Sequence, residues 1–399
     1  MNTDKIRADF PIIEKKKIVY LDSACVALKP KQVVEAISSY YNEFPACAGR
    51  SNHTLGQKVT EKVAEARAAI AKFFNAKSPK EIIFTRNTTE AINLIANSFP
   101  FKKDGSSIVL TTDKEHNSNL IPWLKLSKEG KLKHKIISSN ADSTFNLEAF
   151  EQLLKEEKPA LVSIIFTSNL DGVTNPIKEI TKLSHKYGSR ILVDAAQAAG
   201  HKEIDVRDLD VDFLACSGHK MLGPSGIGML YGKESELQKL SQFMTGGETV
   251  KDSTYNSYEV EDIPERFEAG LQDYAGIIGF AEAVKYLSKI GLKNIEEHCI
   301  KLNKLLTQQL EGQPIHIIGP KDAEARGSVF SFYSDKINHH EIALLLSSNT
   351  IMTRSGAFCV HSWFNAHKVK GAVRISLHIY NTEGDVIKAA DWLKQILKI

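Results

Sequence analysis

One lysine stands where chemistry is the simplest explanation for it. Lys220 follows the apolar run Val211-Asp-Phe-Leu-Ala-Cys216 through Ser217-Gly-His219 and precedes the glycine-rich turn Met221-Leu-Gly-Pro-Ser-Gly226. Desolvation penalises an ammonium at such a place and lowers its pKa. A lysine with a lowered pKa is a good amine nucleophile and forms Schiff bases with aldehydes. Upstream, Ile191-Leu-Val-Asp194 ends a second apolar run on a carboxylate, followed by Ala-Ala-Gln197. A lysine for the aldehyde and an aspartate for the pyridinium nitrogen are the two groups that pyridoxal phosphate needs most.

Other polar residues of matching chemistry fall at the ends of apolar runs. After Glu81-Ile-Ile-Phe-Thr85 comes Arg86-Asn-Thr-Thr-Glu-Ala-Ile-Asn93, with Thr88 and Thr89 opening a helical pattern. Free N–H groups, hydroxyls and the helix dipole there make a phosphate cradle; taken alone, the motif reads equally well as a plain N-cap. Asp113-Lys-Glu-His-Asn-Ser-Asn119 follows the next run, and His116 is placed to stack on a cofactor ring. Asn169, in Thr167-Ser-Asn169, and Gln197 are candidates for the ring substituents, and Asn169 equally for a substrate carboxylate. Ser217 and His219, flanking Gly218, would complete the phosphate contacts beside Lys220.

The elements that must position these groups are those of an α/β protein. Apolar runs at 81–85, 107–111, 160–166, 190–193, 211–216 and 226–231 do not alternate with polar residues, as expected of strands covered on both faces. From about residue 60 helical patterns, as at 59–74 and 88–98, alternate with these runs, so the sheet is expected to be mostly parallel. In such sheets ligands sit beyond the carboxyl ends of the strands. The stretch 232–265 reads as a polar, irregular excursion, and a long helix is expected over 275–290. Helices at 295–310 and 340–347 and strands at 328–333 and 372–377 then suggest a smaller α+β domain. The expected division is a large cofactor-binding domain over 20–287 and a small domain made of 1–19 with 288–399.

The chain has 399 residues, 42% of them hydrophobic and 25% charged, with a net charge of +3. That length suggests two domains, and so small a charge gives no reason to propose nucleic acid or a membrane surface as a partner. The five cysteines, Cys25, Cys47, Cys216, Cys299 and Cys359, are scattered, and no Cys/His cluster has metal-ligand spacing. Scattered thiols, no apolar leader and no membrane-length run lead to the expectation of a cytoplasmic protein without a metal site.

With these residues in place the chain resembles the class V, fold-type I, pyridoxal-phosphate aminotransferase family, and within it the cysteine desulfurases of the short-loop, SUF-like branch. The likeness runs from Tyr20-Leu-Asp-Ser-Ala24 to Arg374-Ile-Ser-Leu-His-Ile-Tyr-Asn-Thr382. It includes Glu115-His-Asn-Ser-Asn119, Val193-Asp-Ala-Ala-Gln197, Ser217-Gly-His-Lys220 and Arg266-Phe-Glu-Ala-Gly270. The resemblance implies that Lys220 carries the cofactor aldehyde, that His116 stacks on the ring and moves protons, and that Asp194 pairs with the ring nitrogen. It gives the phosphate to Thr88, Thr89, Ser217 and His219, and the ring substituents to Asn169 and Gln197. Arg374 would clamp the substrate carboxylate through its planar fork, with Asn169 and Arg354 beside it.

By the same resemblance Cys359, in Arg354-Ser-Gly-Ala-Phe-Cys359, attacks the substrate sulfur and is left as a persulfide while alanine leaves. That task needs a mobile, partly exposed thiolate in positive surroundings, for which Arg354, His361 and His367 are suited. The other four cysteines are expected to be small buried hydrophobes. Two positions depart from the family pattern. Leu271 stands where a threonine usually reaches the partner subunit's phosphate, so that contact is either lost or replaced by Gln272, and Ala357-Phe358 stand where two histidines are common. The expectation is a homodimeric enzyme that takes sulfur from L-cysteine and passes it to an acceptor protein, for iron–sulfur cluster assembly or thio-modification. The alternative is another reaction of the same family: a selenocysteine or cysteine-sulfinate lyase, a β-eliminating lyase, a transaminase or an epimerase. A scaffold without catalysis would have no need of Lys220, Asp194, His116 and Arg374.

Overall fold

The computed structural model describes residues 2–398. Its strands, in chain order, are β1 (Val19–Tyr20), β2 (Ile82–Thr85), β3 (Ile108–Thr112), β4 (Lys133–Ile137), β5 (Leu161–Ile165), β6 (Arg190–Asp194), β7 (Phe213–Ser217) and β8 (Gly228–Gly232). They continue with β9 (Val250–Ser253), β10 (Tyr258–Val260), β11 (His316–Ile318), β12 (Val329–Tyr333), β13 (Ile351–Met352), β14 (Arg354–Gly356) and β15 (Ala372–Ser376). Seven of them form one sheet in the order β2-β8-β7-β6-β5-β3-β4. Every pairing from β7 to β4 is parallel, and β8 runs antiparallel to both its neighbours. The apolar runs of β2, β5, β7 and β8 are buried along their whole length, which is why they carry no polar alternation.

The chain passes from β3 outward to β4 and returns to lay β5 on the other side of β3. That reversal is the topological switch point, and a crevice opens beyond the carboxyl ends of β3 and β5. The turns after these strands carry His116 and Asn169. The helix Thr88–Ser98 starts three residues beyond β2, with Asn87 as N-cap accepting from the Glu90 N–H at 3.0 Å. The fold class is therefore the α/β architecture with a mostly parallel sheet that the sequence predicts.

A four-stranded antiparallel sheet, β11-β12-β15-β14, holds Arg374 on β15 and leads through β14 to Cys359. The strand β1 pairs with β13, and Asp22 bridges to Ser376, so the start of the chain lies against this smaller sheet. One hydrophobic cluster runs from Val162 and Val193 of the large sheet to Phe332 and Ile375 of the small one. The helix Tyr274–Ile290 packs on the helices Lys31–Glu43 and Thr54–Phe73.

One sequence expectation is corrected, and one strand lies where none was predicted. The excursion over 232–265 contains a short helix, Glu234–Leu237, and the hairpin β9–β10. Its strands are largely exposed, so no apolar pattern announced them. The strand β4, Lys-His-Lys-Ile-Ile, was not expected either, because as the edge of the sheet it buries only Ile137. Among the described residues no helix is long and apolar enough to cross a membrane.

Candidate active site

The polar residues at the strand ends line a single cavity of about 440 Å³. Lys220, His116, Cys359, Thr88, Thr89, Asn169, Asp194, Gln197, Ser217, His219, Arg354 and Arg374 are all on its wall. Ala24, Cys25, Asn87, Ser118 and His361 join them.

At one end, the Thr88 N–H donates to Ser217 Oγ at 2.9 Å and the two hydroxyls lie 2.7 Å apart. Thr89 Oγ1 meets Ser118 Oγ at 2.7 Å. This hydroxyl cluster sits at the N-terminus of the eleven-residue helix Thr88–Ser98, where unpaired N–H groups and the dipole favour an anion. His219 lies beside it with its imidazole held neutral, at a pKa of about 4, by burial and by the Lys220 and Lys29 charges.

Asp194 ends β6, buried, with Oδ1 accepting the Ala196 N–H at 2.9 Å. Burial raises its pKa, against that hydrogen bond and the charge of Lys220. Lys220 closes the 3₁₀ turn Gly218–Lys220 after β7; burial lowers its pKa, and Asp194 opposes the shift. A carboxylate and an amine of lowered pKa thus share one cavity with an anion cradle. That donor set fits a phosphorylated aromatic aldehyde with a basic ring nitrogen.

His116 is the N-cap of the helix Asn117–Lys128, and its Nδ1 accepts from the Ser118 N–H at 3.1 Å. The ring proton therefore belongs on Nε2. Burial first, then the charges of Lys220, Arg374 and His361, depress its pKa to about 3, so it is a neutral base at physiological pH. Asn169 donates through Nδ2 to the Phe358 carbonyl at 2.8 Å, and its Oδ1 is buried without a partner. Gln197 donates to the Ala24 carbonyl at 2.7 Å.

Arg374 is 3% exposed and spans the small sheet and the cavity. Its Nη1 donates to the Asn169 carbonyl at 3.1 Å, its Nη2 reaches Asp22 at 3.4 Å, and its guanidinium lies over Phe358. Its Nε is buried and unpaired, a donor left for a ligand. Arg354 is exposed at the cavity mouth.

Cys359 is exposed, on a turn where both it and Phe358 have φ of 50–59°. A bulky residue in that region is strained and persists only where its surroundings impose it. Here the Asn117 N–H holds the Cys359 carbonyl at 2.7 Å and Asn169 holds that of Phe358. His361 reaches Asn117 at 3.0 Å and lines the cavity. His367 does not: its ring stacks on Trp363 and bonds the Trp363 carbonyl, so it is corrected to a surface helix-end residue. Gln272 donates through its amide to the Ala269 and Gly270 carbonyls and lies with exposed Leu271 on a groove separate from this cavity.

Two groups escaped the sequence reading. Cys25, expected as a buried hydrophobe, is half-buried on the cavity wall, and Cys47 is exposed; only Cys216 and Cys299 are buried. Glu115 is wholly buried beside His116, accepting from Thr112, Ile165 and Asn119, and burial pushes its pKa to about 7. Its place next to His116 was the available signal.

The aminotransferase class-V family profile matches residues 19–388. The chain belongs to this family. Within it, the chain is 36% identical over 406 residues to the cysteine desulfurase of Escherichia coli K12, covering 100% of this chain and 99% of that one. The cysteine desulfurase of Haloferax volcanii is 34% identical, with 98% and 96% covered. A solved apo cysteine desulfurase from Thermococcus onnurineus NA1 superposes with a TM-score of 0.95 at 35% identity, covering 99% of this chain and 98% of that one. An Escherichia coli cysteine desulfurase in an S-sulfonic acid form gives 0.91 at 30% identity, with 100% and 99% covered. The fold of the family is thus matched end to end.

Proposed function

We propose that the protein is a pyridoxal-phosphate-dependent cysteine desulfurase. The observation that carries the reading is Cys359, an exposed thiol on a constrained turn, lining one cavity with Lys220, Asp194 and Arg374. The cofactor, when bound, supplies an electron sink for the substrate carbon. Thr88, Thr89, Ser217 and His219 would hold its phosphate, Asp194 its ring nitrogen, Lys220 its aldehyde, and Asn169 and Gln197 its ring edge.

The remaining work falls to side chains of this chain. Arg374 offers Nε to the substrate carboxylate, with Arg354 adding positive charge at the mouth. His116, neutral with Nε2 protonated, faces the cavity as a proton carrier, and the free amine of Lys220 is a second base. The Cys359 thiolate takes the substrate sulfur: the carbon–sulfur bond breaks, a sulfur–sulfur bond forms, and the carbon gains a proton. L-cysteine and the enzyme thiol thereby become L-alanine and a Cys359 persulfide.

The same reading gives the sulfur to an acceptor protein, for iron–sulfur cluster assembly or thio-modification, and makes the enzyme a cytoplasmic homodimer. It divides the chain into a large unit, 20–287, and a small unit of 1–19 with 288–399 that carries the Cys359 loop and Arg374. The test is to give cofactor-loaded protein L-cysteine with a reductant and to quantify sulfide and alanine, with Cys359→Ser in parallel. Equal sulfide and alanine from the parent and neither from the variant is the expected result. Sulfide with pyruvate, unchanged in the variant, would overturn the reading in favour of a β-eliminating lyase.

A further inference from the structure

Cys25 and Cys359 lie far apart in sequence but line the same cavity. Cys25 is fixed there from both sides. The Ala24 N–H donates to Ser376 Oγ at 2.9 Å, the Ala24 carbonyl accepts from Gln197, and the Cys25 N–H donates to the Asp22 carbonyl at 3.1 Å. Its half-buried thiol lies on the wall that Lys220 and Arg374 also line. The thiolate is the attacking form in sulfur transfer. The Cys359 turn is held on the same wall by Asn169, which donates to the Phe358 carbonyl.

We infer that Cys25 is a second sulfur-accepting thiol of this site, receiving the outer sulfur from Cys359. The inference rests on the desulfurase reading, which supplies the Cys359 persulfide. The Cys25 thiolate attacks the outer sulfur. The sulfur–sulfur bond on Cys359 breaks, its electron pair stays on Cys359 Sγ as a thiolate, and a new sulfur–sulfur bond leaves the transferred sulfur and its proton on Cys25. Nothing is oxidised or reduced overall, and no further reactant is needed. Cys359 is then free to take a second sulfur while the first waits on the wall for an acceptor.

Holoenzyme is incubated with L-cysteine without reductant, trapped with iodoacetamide and digested for peptide mass spectrometry. The expected result is persulfide on Cys25 and Cys359 but not on exposed Cys47, loss of the Cys25 persulfide in Cys359→Ser, and a retained Cys359 persulfide in Cys25→Ser. Persulfide on Cys359 with none on Cys25, or on Cys25 and Cys47 alike, or on Cys25 undiminished in Cys359→Ser, would overturn the relay. Persulfide on neither cysteine would overturn the role of Cys359 beneath it. A readout independent of turnover is the cofactor-free protein treated with dibromobimane, which should link Cys25 to Cys359. Alkylation of each thiol by monobromobimane without any link from the two-armed reagent would place them too far apart and overturn the transfer.

Discussion

Ser217 shows how little a single residue type reveals until its neighbour is known. Alone it is a serine at a strand end; beside Thr88 it becomes part of a hydroxyl cluster at a helix N-terminus. Removing one hydrogen-bonding group from such a site costs about 1–3 kcal/mol, roughly 5- to 150-fold in affinity. Ser217→Ala should therefore weaken cofactor retention by that factor, read as loss of visible absorbance on dialysis, while the fold is unchanged by circular dichroism. Unaltered retention would remove the phosphate from this cluster. Asp194, Thr88 and Lys220 were legible because each ends or closely follows an apolar run that only a buried strand explains. Cys25 was not, because nothing local distinguishes it; Ser376 and Gln197, which anchor its neighbour Ala24 to the cavity wall, lie far away in the sequence. His367 misled for the opposite reason, being near Cys359 in sequence while its ring is taken up by Trp363.

Between elements, the turn after β3 and the turn after β5 are joined by a buried ion pair. Lys114 Nζ lies 2.8 Å from Asp171, with side chains 5% and 1% exposed, and it also donates to the Ser143 carbonyl. Lys114 is two residues from His116 and Asp171 two from Asn169, so the pair fixes the separation of the two groups that face the cavity at the switch point. Breaking a buried pair by removing one partner strands the other charge and costs about 3–5 kcal/mol. Lys114→Met is expected to lose about that much in urea unfolding, and Lys114→Met with Asp171→Leu to regain most of it, since no charge is then left buried. If the single variant matched the parent, the pair would not be holding the turns. Sequence periodicity found the elements here but not this tie, because a lysine and an aspartate in two turns read as solvated residues until the fold brings them together.

On the scale of the whole molecule, the two sheets share one core, and buried imidazoles sit where the chain passes between them. His201 follows β6 and His378 follows β15, and their rings lie 4.4 Å apart. His378 Nδ1 accepts the Ile379 N–H at 2.9 Å, while its Nε2 and His201 Nδ1 are buried with no hydrogen-bond partner. Tyr380 also stacks on His378. Burial, then the charges of His201, His298 and Lys29, drives the His378 pKa well below its ordinary value, and burial also lowers that of His201. The folded rings therefore stay neutral where an unfolded histidine, with a pKa of about 6.5, takes up a proton. Below that pH the unfolded chain binds more protons than the folded one, so these groups lower stability as the pH falls. Each contributes a slope of about 1.4 kcal/mol per pH unit between about 6.5 and its depressed folded value. His378→Phe keeps the stacking and removes one such proton uptake, so its urea-unfolding free energy should fall less steeply than that of the parent between pH 6.5 and 5, by about 1.4 kcal/mol per unit. Parallel slopes for the two proteins would mean that His378 is already protonated in the folded state.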